Sequence, residues 1–394
     1  MKRSLHRQRL RNTTRSIAVA FTLTLTFAGL GLAWSAAQAC TTLAPLPTIP
    51  PDALRVTDFG AVPDDGLDDD DAIARALKAL KPGGWLVFPP GRYRQAHSVL
   101  VTVPGVTLWG PGATLQATDP RDHTLGLRAD GVRLYGLTLT AAPDQRRSTP
   151  AQARISLYRD RSDNRDGTTP QRGNVVRGVT VDGAGSVGML VYGAADFTIA
   201  HNTVRRTLAD GIHITGGSHH GRVLGNQVHD TGDDLISIVS YDDAPPVHDV
   251  LVADNEVSGA RWGRGLSVVG GEHLTLRGNL VGSVAHGAGV LVAQEGNWHT
   301  HGVRDVRIED NRLREIQTPA ARAGATAPPT GHAAIEIHTY AVPEGAAGIG
   351  DLLLRGNTVE HSRYGELHQR AGRLVQTTPG AQLDCARFGG VSGR

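Results

Sequence analysis

Aliphatic residues recur at every second position of this chain in short bursts, separated by turn-forming residues. The bursts read Gly211-Ile212-His213-Ile214, Leu235-Ile236-Ser237-Ile238, Gly265-Leu266-Ser267-Val268, Gly289-Val290-Leu291-Val292 and Ala334-Ile335-Glu336-Ile337. The second and fourth positions are always aliphatic and the third varies freely. That is the period-two signature of a short strand with one buried face. A second pattern, apolar-x-apolar-x-x-Asn-x-apolar, recurs in step. It sets up a column of Asn202, Asn226, Asn255, Asn279, Asn311 and Asn357 at intervals of 24, 29, 24, 32 and 46 residues. Strands at this spacing, with no helical stretch between them, predict an all-β solenoid, a parallel β-helix of stacked rungs. The asparagines are expected to satisfy turn backbone and one another, with no catalytic part.

The pattern changes at both ends. An amphipathic run, Ala72 to Leu80, follows Asp69 and Asp70 and stops at Pro82-Gly83-Gly84, which predicts a helix closing the N-terminal end. Ala141 to Gly173 and Thr318 to Gly331 break the rung spacing and read as long loops walling the binding face, with one strand at Arg154 to Tyr158. From His361 onward the apolar columns thin out. The expected organisation is a leader over 1–39, a linker over 40–54, the solenoid over 55–360 and a tail over 361–394.

The leader alters the charge balance. The chain has 394 residues, 40 Lys plus Arg and 38 Asp plus Glu, a formal net charge of +2. Six of the bases (Lys2, Arg3, Arg7, Arg9, Arg11 and Arg15) precede an uncharged stretch from Ile17 to Trp34 and the small-residue run Ser35 to Ala39. This is the form of a secretory signal peptide, with an uncleaved anchor as the alternative. Cleavage after Ala39 leaves 34 bases against 38 acids, a net of −4. No clustered Lys/Arg remains to suggest nucleic acid as a partner. Two cysteines exclude a disulfide scaffold and a four-Cys zinc module. Cys40 is open to three readings: a lipidated first residue, which would bring a membrane partner, a disulfide to Cys385, or an incidental thiol. Export to a periplasmic or extracellular location follows from the leader.

The variable positions carry the candidate chemistry. Asp210, Asp234 and Arg264 stand just before successive strands, with Asp233 beside Asp234. The outward third position gives His213, Ser237, Ser267, Leu291 and Glu336. Rungs lie about 4.8 Å apart, so the three aspartates become neighbours and at least one has a raised pKa. Such a group suits glycoside hydrolysis, in which a protonated carboxyl donates to the leaving oxygen and ionised partners activate water. The alternative is that Asp233 and Asp234 shape a turn or bind calcium. Tyr192, Tyr241 and Trp298 are candidate sugar platforms. His219–His220 and His299–His301 are weak metal pairs for want of a third ligand, and no metal site is expected.

Two resemblances add to this. Val56-Thr57-Asp58-Phe59-Gly60-Ala61, Asp64-Asp65-Gly66, Asp69-Asp70 and Trp85 to Tyr93 resemble the N-terminal cap of the pectate-lyase-like β-helix superfamily. This implies a right-handed solenoid but no particular chemistry. Ala209-Asp210-Gly211-Ile212 and Thr231-Gly232-Asp233-Asp234-Leu235-Ile236-Ser237-Ile238 resemble the NTDG and TGDD segments of the polygalacturonase family of glycoside hydrolases. Gly263-Arg264-Gly265-Leu266-Ser267-Val268 matches that family's GHG segment with Arg for His, and Gly289-Val290-Leu291-Val292-Ala293 lacks the Arg and Lys of its last motif. The resemblance implies an inverting hydrolase of polysaccharides with Asp234 as general acid and Asp210 and Asp233 on the water. Arg264 would grip an anionic sugar or pair with the aspartates. His213, Ser237, Ser267, Glu336 and Tyr241 are the other substrate-binding candidates. No cofactor is implied.

Two other functions use the same residues. In a lyase or C5 epimerase of this fold, Asp210, Asp233, Asp234 and Asp242 would hold Ca²⁺ against a uronate, with Arg264 removing a proton. A non-catalytic module would only bind glycan.

Overall fold

The computed structural model describes residues 40–146, 149, 152–158, 169–325, 327–376 and 383–389; the expected leader lies outside them. Its strands form three parallel sheets of 14, 10 and 10 strands, and each rung contributes in turn to all three. The aliphatic columns stack inside a single hydrophobic cluster that runs from Val56 to Leu352.

The Asn column forms a continuous ladder. Each side-chain amide donates to the next Asn Oδ1 at 2.9–3.0 Å, from Asn202 through to Asn357. The same Oδ1 also accepts the preceding Asn backbone N–H. Every turn at this corner is thereby satisfied without water.

Helix α1 (Asp70–Ala79) covers the N-terminal end with Ala72, Ile73 and Ala76. Asp69, directly before it, does not cap it by side chain, while Asp68 accepts the Asp70 N–H at 2.9 Å. Asp69 accepts Val62 N–H and Arg94 N–H, and Asp70 accepts the N–H groups of Ala96 and His97, which ties the helix to the first rungs. The strand expected near Arg154 is present as Ile155–Tyr158.

At the other end, Leu367–Gln369 and Arg373–Leu374 pair with the preceding rung. The solenoid therefore continues into the segment read from sequence as a tail beyond 360. Its columns are hard to see because most side chains there are exposed and few are aliphatic. Cys40 and Cys385 form a disulfide across 345 residues of sequence. Of the three readings of Cys40, the structure shows the pairing, which engages the sulfur a lipid would need. The disulfide sits with Ala200, Leu224, Leu251, Ala253 and Phe388 on the outside of the 14-stranded sheet.

Candidate active site

The site lies on one 10-stranded sheet, at the starts of β1 (Ile212–Thr215), β2 (Ile236–Val239) and β3 (Leu266–Val269). Two further rungs follow, β4 (Val290–Glu295) and β5 (Ile335–Tyr340). The register aligns His213, Ser237, Ser267, Leu291 and Glu336 in one column. Backbone bonds from Gly211 N–H to the Asp234 carbonyl (2.9 Å) and from Leu235 N–H to the Arg264 carbonyl (2.9 Å) lock the approach to each strand. Asp210, Asp234 and Arg264 are thus presented at equivalent points of consecutive rungs. Gly263 is needed at this corner, because a Cβ there would lie 2.4 Å from both the backbone nitrogen and Oδ1 of Asp234.

Each carboxylate has its own holder. Asp210 Oδ2 is 2.6 Å from His213 Nδ1 and accepts the Ser237 hydroxyl at 2.6 Å. Asp234 Oδ1 accepts Arg264 N–H at 2.7 Å, and its Oδ2 accepts the Ser267 hydroxyl at 2.5 Å. The Arg264 guanidinium lies between acids, with Nε 3.4 Å from Asp234 and a terminal nitrogen 3.2 Å from Glu295. Asp233 is paired at 2.5 Å with Arg146, from the long loop before residue 173.

These environments separate the two buried acids. Burial drives the Asp234 carboxyl up to about 7, aided by the charges of Asp210 and Asp233 and opposed by Arg264 and Ser267. Burial also acts upward on Asp210, but the hydrogen bonds from His213 and Ser237 and the Arg264 charge outweigh it and hold Asp210 below its ordinary value. Burial lowers the Arg264 guanidinium, yet the surrounding carboxylates more than compensate and it stays charged. One acid is thus biased toward its protonated form beside one biased toward ionisation, the arrangement general acid–base chemistry requires.

The structure gathers Asp210, Asp233, Asp234, His213 and Arg264 as the sequence pattern predicts. It reassigns three of the binding candidates. Ser237 and Ser267 are fully covered and face carboxylates rather than solvent, so they position the acids instead of touching a sugar. Glu336 is 1 % exposed and is enclosed by Ala333 N–H, His368 and Arg370, the last two from the added terminal rungs. It is therefore not open to substrate. Tyr241 packs on an apolar patch of Val239, Val269, Ala288, Leu291 and Ala293, across from Tyr340. Burial, with the nearby carboxylates, raises its hydroxyl to about 12. Asp242 is exposed and 4.0 Å from His299. The four aspartates of the calcium reading do not bring three ligand atoms within 4.8 Å of one another.

Three neighbours escape the sequence reading. Arg146 reaches Asp233 across 87 residues, and Glu295 comes from the far end of its strand. Trp262 directly precedes Gly263, is 52 % exposed, and stacks on His286 at 5.4 Å with a 14° interplanar angle. Trp262 thus lies exposed beside Gly263 and Arg264, nearer the aspartates in the sequence of rungs than Trp298. Trp298 is exposed in a short turn, and Tyr192 packs against Tyr158 at 5.0 Å with the rings tilted by 32°. The signal that could have found Trp262 was its place in the groove column, two residues ahead of Arg264.

Comparison with known proteins agrees with the architecture. The family model described as a right handed beta helix region matches residues 161–311. The one described as rhamnogalacturonase A/epimerase, pectate lyase-like, matches 53–132. No curated protein matches the chain. Among solved structures, the catalytic domain of a GH87 alpha-1,3-glucanase in complex with tetrasaccharides is 12% identical with a TM-score of 0.59. The match covers 86% of this chain and 71% of that one. The catalytic unit of the GH87 alpha-1,3-glucanase from Streptomyces thermodiastaticus is 20% identical, TM-score 0.52, covering 88% and 72%. The enzymatically active domain of tailspike protein 2 from bacteriophage CBA120 is 11% identical, TM-score 0.53, covering 79% and 43%. At these identities the likeness is one of fold.

Proposed function

We propose that this chain, a right-handed parallel β-helix of the pectate-lyase-like superfamily, is an exported glycoside hydrolase that cleaves a neutral polysaccharide with inversion. The observation that carries this reading is the placement of Asp210 and Asp234 on adjacent rungs, each buried and held by its own hydrogen bonds, in surroundings that push the Asp234 carboxyl up and hold Asp210 down. Asp234 donates its proton to the glycosidic oxygen as the bond breaks. Arg264, 3.4 Å away, then stabilises the carboxylate that forms. Asp210, oriented by His213 and Ser237, and Asp233, oriented by Arg146, place and deprotonate the attacking water. Trp262 supplies an apolar face for a sugar ring at the rim.

Arg264 decides the substrate class. Its guanidinium already faces Asp234 and Glu295, and this neighbouring negative charge weakens its attraction for a sugar carboxylate. A neutral glycan fits this better than a galacturonan, and the GH87 neighbours, whose names give alpha-1,3-glucan as substrate, make α-glucans the first to try.

The test is reducing-end release from a panel of neutral and acidic polysaccharides by wild type and Asp234→Asn, with ultraviolet absorbance followed in parallel. We expect release from a neutral glycan, a loss of roughly 10²–10⁴-fold in kcat for the variant, and inverted configuration in the first product seen by NMR. Unsaturated product absorbing in the ultraviolet would replace the hydrolase reading with a lyase, and no release from any glycan would end it.

A further inference from the structure

A cluster of histidines lies on the 14-stranded sheet, around the corner from the catalytic face. His219 and His248 are register partners on adjacent rungs and stack at 4.7 Å with a 7° interplanar angle. The next residue on each rung, His220 and Asp249, adopts left-handed backbone, as does His273 one rung further on (φ 51°, 52° and 53°). The same local kink on three rungs brings these three side chains to one place on the outer surface. His220 meets both His219 and His248 edge-on. His219 is fixed by its Nδ1, which donates to the Gly217 carbonyl at 2.9 Å, so its ring is a rigid backing for His248.

The spacings around Asp249 are informative. His220 Nε2 is 3.7 Å from Asp249 Oδ2, and His273 Nδ1 is 3.9 Å from Oδ1. Both are too long for hydrogen bonds. The first is near the roughly 3.4 Å that separates two ligands each about 2.0–2.1 Å from a tetrahedral zinc ion. The ligand atoms of His220, His248 and Asp249 lie within 4.8 Å of one another, the one group of its kind among the described residues. The third ligand missing from the His219–His220 pair in sequence is supplied by the next rung, 28 and 29 residues further along the chain.

We propose that His220, His248 and Asp249 bind one divalent transition-metal ion of the zinc class, with solvent completing its coordination. Imidazoles with a single carboxylate favour such an ion over calcium, which asks for six or more oxygens. Binding displaces the proton that His248 Nδ1 shares with Asp249 Oδ2 at 2.7 Å, and that proton leaves to solvent. The ion links two successive rungs at a point where the C-terminal segment also docks, since Gly389 lies against the His220 backbone. Its expected effect is on stability, because it binds only the folded arrangement. It shares no residue with the proposed catalytic site, so either reading can fail alone.

The test uses the full chain without an affinity tag, stripped with EDTA and returned to chelator-free buffer. Zn²⁺ is titrated calorimetrically, and melting is followed with and without it. We expect one ion per chain with a Kd tighter than about 50 µM and a rise in Tm of about 3 °C or more at saturation. His220→Ala and Asp249→Asn are each expected to weaken binding at least tenfold, while His299→Ala, at an exposed histidine elsewhere, leaves it unchanged. Weaker or unsaturable binding by wild type overturns the proposal without reference to any variant. Undiminished affinity in a folded His220→Ala protein overturns it as well.

Discussion

At the scale of single residues, Asp234 ties activity and stability to the same proton. Its folded pKa of about 7 lies well above the ordinary 3.8 for an aspartate, chiefly because burial disfavours the charged form. As a general acid it works only while protonated, so kcat/KM should fall as pH rises through about 7. The Ser267 hydroxyl bonds the ionised form and so pulls this value down. Ser267→Ala should therefore move the basic limb of the pH–rate profile upward while leaving substrate specificity unchanged. A downward or absent shift would mean that Asp234 is not the group being titrated. The same raised pKa makes a stability prediction. Between pH 3.8 and about 7 the folded chain keeps a proton that the unfolded chain has released. The stabilisation linked to that proton is complete below the lower value and lost as pH rises through the upper one. Asn carries no such dependence. Asp234→Asn should gain in Tm relative to wild type on going from pH 4 to pH 8, by of order a few degrees, even as it loses activity. A difference in Tm that does not vary with pH would contradict this.

At the scale of the rung, the Asn ladder shows how much of the structure was legible and why. Asn202 to Asn357 recur at a fixed offset from aliphatic positions, and a side chain that must bond its counterpart on the next rung cannot drift in register. The fold could be read from that column and its aliphatic companions alone. Their energetic weight is testable. Asn255 accepts Asn226 N–H and amide, donates to the Val223 carbonyl, and donates to Asn279. Asn255→Ala leaves the Asn226 backbone N–H and one of its two amide protons without partners in a dry corner, and removes the donor to the Val223 carbonyl, while the Asn226 bond to the Ile199 carbonyl remains. We expect a loss of about 2–4 kcal/mol in urea unfolding. Asn357, half-exposed at the end of the ladder, should cost about half as much, since water reaches its partners. Equal losses at both positions would show that the ladder does not act as a buried network. The site was legible in the same way for residues set by the rung register, namely Asp210, Asp233, Asp234, His213 and Arg264. It was not legible where depth or long loops decide. Period-two alternation shows that Ser237 and Ser267 point outward. It does not reveal that Asp210, Asp234 and the surrounding loops then cover them. Arg146 belongs to a loop whose landing point is set by packing against the finished solenoid, so no local pattern announces its contact with Asp233. Glu336 was read as open because the rungs that enclose it lie beyond the last recognisable aliphatic column.

At the scale of the whole molecule, stability is distributed along the solenoid axis, and this governs what the single disulfide can do. Each rung contacts its neighbours, so cohesion is close to a sum over rungs, and the ends are the places where unfolding starts. Cys40 and Cys385 lie outside the main core, in a small cluster on the 14-stranded sheet, and residues near Cys40 are held further by Arg177 on the Ala44 carbonyl and Arg222 on that of Thr42. A chain-entropy argument for a loop of 345 residues would assign the bond about 6 kcal/mol of stabilisation. That figure is an upper bound here, because it supposes that the cross-link constrains one cooperative unfolding event. In a solenoid the short segment carrying Cys385 can detach while the rungs stay stacked. Cys385→Ser should accordingly expose the stretch around Leu383 to Phe388 to proteolysis and speed amide exchange there. The main melting transition should fall by only about 2–5 °C. Limited proteolysis with mass mapping, set beside calorimetry of the same variant, separates the possibilities. Collapse of the whole transition would show that the bond holds the solenoid together. An unchanged cleavage pattern would show that Phe388 and its apolar neighbours anchor the segment without it.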